Sequence, residues 1–168
     1  MNKIRPSRLA DIPAMQWVER DAGELFRGLG LLDLDASADA SVSDHMLSIE
    51  EGLSFVAEVD GRVSGFVMGE MKEGGAYLHE LDVAREAQRR GFGRQLIGRF
   101  NQEARYKGAE CVFLFTFRDP PWNAPFYRKL GFIDMANDDR LPWMSAMEAE
   151  QAKFLDLNTR VFMRLKLD

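Results

Sequence analysis

Cysteine is nearly missing from this chain: one residue, Cys111, in 168. No internal disulfide can form, and its place inside CVFLFTF (111–117) reads as buried core. A reducing, cytoplasmic setting follows as the default. Histidine is almost as scarce, with only His45 and His79. A zinc site of ordinary His/Cys spacing therefore lacks ligands, and no metal is expected. His79-Glu80 is not followed by the second histidine of a zincin helix. No apolar run is long enough to span a bilayer, and the first residues, MNKIRPSRLADIP, lack the apolar core of a secretory signal. No membrane partner is expected. Surplus positive charge is absent too: 22 Lys and Arg against 27 Asp and Glu leave a net charge of −5. That argues against a nucleic-acid partner held by a broad basic surface. There is no Gly-x-Ser-x-Gly elbow, and Cys111 in its apolar strand makes a poor covalent nucleophile.

What is present describes a folded domain. Hydrophobic residues make up 46% and charged residues 29%, enough for one core, so residues 1–168 are expected to form a single domain. KIRP (3–6) reads as a first strand stopped by Pro6. Asp11 caps an expected helix whose apolar stripe is Ile12, Met15, Trp17 and Val18. Residues 21–42 read as a loop with a partial helix. A second helix is expected from a Ser43 cap to Glu51. SFVAEV (54–59), Asp60-Gly61 and RVSGFVMGEM (62–71) form a hairpin signal. Gly74-Gly75 then turns the chain into AYLHELDV (76–83). A helix over 91–107 follows, with Leu96, Ile97 and Phe100 inward and Gly108 as its left-handed stop. CVFLFTF reads as a strand covered on both faces. A short helix over 124–130 ends at Gly131, FIDM begins another strand, and RVFMRLKL (160–167) alternates as the last. Residues 137–158 give no clear pattern. The order is that of an α/β (α+β) domain on a mixed sheet.

One stretch combines bare backbone, positive charge and a helix start. LDVAREAQRRGFGRQLIGRF (81–100) leads from a strand through Gly91 and Gly93, flanked by Arg89, Arg90 and Arg94, into the long helix. The first N–H groups of a helix have no partner in it, and with the helix dipole they make an anion site. Glycine lets the backbone approach a phosphate closely, and the arginines can meet its oxygens. The stretch suits a pyrophosphate. The plain alternative is a glycine turn before a solvated, arginine-rich helix face. A dinucleotide fingerprint would need a third glycine and an early βαβ unit, and a Walker A loop is absent.

QRRGFG (88–93) resembles the Gln/Arg-x-x-Gly-x-Gly/Ala motif of the GNAT superfamily of acyl-CoA-dependent N-acyltransferases. LDV (81–83) stands where that family's fourth strand carries Leu-x-Val, and NAPFYRKLGF (123–132) is similar to its second signature. The resemblance runs from about Lys3 to Leu167. It implies a mostly antiparallel central sheet flanked by helices, with fourth and fifth strands splayed apart, and acetyl-CoA as cosubstrate. It assigns the span Gln88, Arg89, Arg90, Gly91, Phe92, Gly93 and Arg94 to the pyrophosphate, and Leu81, Asp82 and Val83 to the pantetheine arm, with the Val83 amide on the thioester carbonyl. Tyr127 matches the general acid that protonates the leaving thiolate; its plain alternative is a core tyrosine. Many relatives carry a cofactor-contacting asparagine seven residues before this tyrosine. Here Pro120 stands there, so Asn123 is either a cofactor contact or the cap of the short helix.

The base has two candidates. An amine with a pKa near ~10.4 is mostly protonated at neutral pH and must lose a proton to attack. His79 stands where arylalkylamine acetyltransferases have a catalytic histidine, and their helix segment resembles PFYRKLGF. Glu80 is the other candidate, though strand alternation places it on the opposite face unless a bulge intervenes. A glutamate base known in some protein N-terminal acetyltransferases corresponds to Thr116, which cannot serve, so a small-molecule amine is favoured over a protein amine as acceptor. A non-catalytic acyl-CoA sensor is the rival of another class. Whether the chain forms a homodimer stays open.

Overall fold

A computed structural model describes residues 1–37 and 39–168. The chain runs β1 (Lys3–Pro6), α1 (Ile12–Gly23), α2 (Val42–Glu50), β2 (Ser54–Val59), β3 (Arg62–Lys72), β4 (Gly75–Val83), α3 (Phe92–Tyr106), β5 (Cys111–Phe117), α4 (Ala124–Lys129), β6 (Ile133–Asp134), α5 (Pro142–Gln151) and β7 (Arg160–Lys166), with single 3₁₀ turns between some of them. The strands form one sheet in the order β1-β2-β3-β4-β5-β7-β6. Every neighbouring pair is antiparallel except β4 and β5, which are parallel.

The turns explain the meander. Asp60 (φ 50°) and Gly61 (φ 81°) both take left-handed backbone, as a two-residue hairpin with the sheet's own twist requires. In the β3–β4 ladder Met68 pairs with Glu80 but Gly69 pairs with Leu78, so His79 is an extra residue. This bulge closes only over glycine. A Cβ on Gly69 would lie 2.1 Å from the Tyr77 carbonyl oxygen and 2.7 Å from the Phe100 ring.

Three apolar clusters hold the layers. On one face α3 lays Phe92, Leu96, Ile97, Phe100 and Ala104 against the sheet, and Tyr127 and Phe132 join the same cluster. On the other face α1 packs Met15 and Val18 on Val56, Phe66 and Met68, while Met144 of α5 packs with Tyr77, Phe113, Phe115 and Phe162. Each large side chain so buried is worth about 1.5–3 kcal/mol.

Several expectations shift. The cap of α2 is Ser41, whose Oγ accepts the Asp44 N–H at 3.0 Å while Asp44 accepts the Ser41 N–H at 3.1 Å. This reciprocal box is worth about 1 kcal/mol and draws Ser43 inside the helix. Asp11 precedes α1 but caps nothing there, because its carboxylate is held by both terminal nitrogens of Arg5, at 2.7 and 3.0 Å. Trp17 is 49% exposed, since Ile12, Met15, Val18 and Ala22 already fill the face toward the sheet. Cys111 is half-buried at the start of β5. The FIDM strand shrinks to Ile133–Asp134, and residues 142–151, which showed no pattern, form α5 behind Pro142.

Candidate active site

β4 and β5 pair only through Ala76 with Val112 and Tyr77 with Phe113. Beyond Tyr77 the two strands separate. The backbone along that gap is turned toward it. The Ala84 N–H donates to the Ser64 carbonyl at 2.8 Å. Alternation along an antiparallel ladder then commits Asp82 and Glu80 to β3 and turns the peptide groups of Val83 and Leu81 toward β5. The Val83 carbonyl is already satisfied by Gln88 Nε2, at 2.9 Å, which ties the end of β4 to the following turn.

That turn rests on left-handed backbone. Arg89 (φ 59°) and Gly91 (φ 84°) both sit in left-handed backbone. A non-glycine residue held there costs of order 1 kcal/mol or more, and such strain gathers at functional sites. Successive amides in such turns converge into anion-binding concavities. The first bond of α3 runs from the Gln95 N–H to the Gly91 carbonyl, 3.1 Å, so the amides of Phe92, Gly93 and Arg94 precede the ladder and keep their donors free of it. The Arg90 guanidinium lies 5.3 Å from the centre of the Phe92 ring.

A cavity of about 800 Å³ opens at the gap, and His79, Glu80, Leu81, Asp82, Thr116, Asn123 and Tyr127 all line it. The bulge brings His79 and Glu80 together. Glu80 and Asp82 pair with Met68 and Phe66, which belong to the α1 face, whereas Leu81 and Val83 pack with the α3 cluster. His79 is the extra residue between the two registers. Its ring lies edge-on to Tyr77 at 4.7 Å, and its Nε2 is 3.0 Å from Glu70 Oε1.

Tyr127 is 6% exposed. Burial, then the charges of Asp82 and Glu80, push its pKa upward, so the phenol keeps its proton. Burial also raises Glu80 to about 8, helped by Asp82, and Asp82 to about 8, helped by Glu19. Asn123 occupies the cap position of α4 without capping it through its side chain; its Oδ1 is buried and without a hydrogen-bond partner, as is Asp82 Oδ2. Val83, the last residue of β4, and Gln88 and residues 89–94 beyond it do not line the cavity.

Among the lining residues that sequence reasoning missed, two carry charge near the acids of the site. Glu19, on α1, is raised to about 8 by burial and by Glu80; one position past an apolar stripe, it belongs to no motif. Arg160 begins β7, with its guanidinium 4.8 Å from the Phe115 ring centre and 4.4 Å from that of Phe117. It donates to the Phe115 carbonyl at 3.0 Å and to Gln151 Oε1 at 3.2 Å, and burial lowers its pKa. A lone arginine opening an apolar strand was its only signal.

A strand end, a left-handed glycine turn and a helix start thus lie beside a parted pair of strands. The model of the acetyltransferase (GNAT) family matches residues 15–132, and the chain belongs to that family. It is an acetyltransferase. Solved structures share the fold. PaiA N-acetyltransferase from Thermoplasma acidophilum, in complex with coenzyme A, is 17% identical with a TM-score of 0.78, covering 99% of each chain. The ribosomal-protein-S18-alanine N-acetyltransferase from Escherichia coli is 19% identical with a TM-score of 0.71, covering 100% of this chain and 95% of that one. N-acetylglutamate synthase from Neisseria gonorrhoeae, complexed with coenzyme A and N-acetyl-glutamate, is 20% identical with a TM-score of 0.75, covering all of this chain but 35% of its own. Among the described residues no helix is long and apolar enough to cross a membrane.

Proposed function

We propose that the protein, as one domain over residues 1–168, moves an acetyl group from acetyl-CoA to the primary amine of a small molecule in a ternary complex. The observation that carries this reading is the buried Tyr127 phenol lining one cavity with Glu80, where β4 and β5 part. The free edge of Leu81 and Val83 suits an extended arm added as a strand, and the turn from Gln88 to Arg94 suits a pyrophosphate. The buried, unpartnered Asn123 Oδ1 offers the arm an acceptor. When bound, acetyl-CoA supplies an activated thioester carbonyl. The Val83 amide, turned toward the gap at the end of β4, would donate to that oxygen as charge develops on it.

Glu80 receives the first proton of the incoming ammonium. A carboxylate at about 8 is far better matched to an amine near ~10.4 than an ordinary one. His79, held by Glu70 at the cavity wall, orients rather than accepts. As the C–N bond forms and the C–S bond breaks, Tyr127 gives its proton to the departing sulfur and is reprotonated from the amine nitrogen. The balance is one amide, one thiol and one proton released through Glu80.

A small acceptor is favoured over a protein amine because residues from 24–37, Asp39 and residues from 151–155 wall the cavity. Thiol release from acetyl-CoA, measured over a panel of small amines and of peptides with free N-termini or lysines, tests the reading. Turnover of small amines supports it. Turnover confined to peptides overturns the acceptor class, and no thiol with any acceptor favours a non-catalytic acyl-CoA sensor.

A further inference from the structure

Glu19 stands outside the turn and outside the acid–base pair, yet it lines the same cavity. Its two carboxylate oxygens accept the Ala40 N–H at 3.0 and 3.1 Å, which fixes the side chain against the loop that follows α1. The arginines of the cavity make their hydrogen bonds elsewhere, though Arg20 still attracts Glu19 and Arg160 attracts Glu80 through space. Arg20 pairs with Asp39, Arg27 with Glu24, and Arg160 donates to the Phe115 carbonyl and Gln151. Among the described residues no ion pair reaches Glu19, Glu80 or Asp82.

A second observation points to a ligand. Tyr77 and Tyr127, 3% and 6% exposed, line the cavity, and neither hydroxyl is hydrogen-bonded to a protein group among the described residues. Asp82 Oδ2 is buried without a partner as well. Half-burying carboxylates without an ion-pair partner destabilises a fold, and such groups persist where a ligand supplies what they lack. An organic cation supplies both the charge and the N–H donors that such acids lack. One ammonium answers Glu80 and its neighbour Asp82. Glu19, on a separate helix, calls for another positive charge. Phe26, Phe117, Phe154 and Leu155 add apolar wall to the same cavity, suited to a chain of methylenes.

We propose that the acceptor is an aliphatic di- or polyamine, with one ammonium presented to Glu80 and Tyr127 and a second bound by Glu19. This rests on the small-amine reading above and narrows it. The reacting nitrogen must give up its proton, whereas the anchoring ammonium keeps its charge, so one substrate answers both the Glu80 and the Glu19 carboxylates. A monoamine leaves Glu19 unanswered.

Thiol release by the full chain with acetyl-CoA is compared for 1,4-diaminobutane and 1,5-diaminopentane against n-butylamine and n-pentylamine. The expected kcat/KM favours the diamines by at least about 30-fold, mostly through KM. Glu19→Gln lowers that preference at least about 10-fold, and Glu19→Asp restores part of it. Equal kcat/KM for diamines and monoamines overturns the proposal even if the variants fold poorly, and so does a preference untouched in a folded Glu19→Gln. If no amine of either kind releases thiol, the transfer reading fails by itself, and calorimetry then decides the anchor. Binding of 1,5-diaminopentane that is tighter than n-pentylamine, weakened by Glu19→Gln and accompanied by proton release supports it. Equal or absent binding of the two overturns it.

Discussion

On either side of the cavity the sheet is laddered along its length, with β4 paired to β3 from Gly75 to Val83 and β5 paired to β7 from Cys111 to Phe117. Between those two blocks β4 and β5 meet at Ala76 and Tyr77 and then part. In the flanking ladders the strands stay in register, and phenylalanine, valine, leucine and methionine supply most of their buried side chains. Along the parting, backbone groups face a cavity and buried polar atoms, Asp82 Oδ2 and Asn123 Oδ1, have no partner. Stability is concentrated where local rules are obeyed, and the reactive groups gather where they are broken. The bulge at His79 belongs to both regions. It is held by the tight packing at Gly69, and it turns Glu80 into the gap.

The largest effect is expected at the turn. Gly91→Glu puts a side chain on left-handed backbone (φ 84°) and a negative charge at the anion site. Binding of coenzyme A should fall by more than about 100-fold in calorimetry, with the circular dichroism spectrum kept. Unchanged affinity would remove the turn from the cofactor site. On the flank, Gly69→Ala forces a Cβ to 2.1 Å from the Tyr77 carbonyl oxygen. It should destabilise by about 3 kcal/mol and lower Tm by roughly 6–12 °C; a parental Tm would mean that the bulge tolerates a side chain.

Within the gap, Glu80→Gln should lower kcat/KM at pH 7 by at least about 10-fold, with much of the loss regained as pH rises and the amine sheds its own proton. A loss equal at every pH would point to a structural role. The smallest effect concerns stability. Glu19, Glu80 and Asp82 titrate at about 8 in the fold, against ordinary values of 4.5, 4.5 and 3.8. Between about pH 4 and 8 the folded chain therefore holds protons that the unfolded chain has released, so the ligand-free protein loses stability as pH rises through that window. Glu19→Gln removes one such group, and its Tm should decline less from pH 5 to pH 8 than the parent's. Equal declines would contradict the burial of that carboxylate.

The laddered flanks were largely legible in the sequence, because their signals are local. Asp60-Gly61 dictates a hairpin, Gly74 a turn, and the spacing of Leu96, Ile97 and Phe100 a helix face. The turn from Gln88 to Arg94 was legible as a turn for the same reason, since its glycines stand just ahead of a helix. The gap was legible only through family resemblance. The bulge depends on Gly69 meeting Phe100 and the Tyr77 carbonyl, contacts that no window around His79 contains. Glu19 and Arg160 reach the cavity from α1 and β7, at opposite ends of the chain. Helix α5 escaped notice because Met144 is its only fully buried residue, too little to set a period. Ser43 was taken for a cap because it is a good capping residue, but Ser41 with Asp44 completes the reciprocal box.

The central claim is that the parted strands bring a proton donor to the leaving sulfur, and Tyr127→Phe tests it most directly. The ring's packing against Phe126 and Phe132, at 5.4 and 5.6 Å between centroids, is kept while the hydroxyl is lost. With the best amine acceptor, kcat should fall by about 10²-fold while coenzyme A affinity stays at the parental value. A kcat that is unchanged in the folded variant would contradict the account.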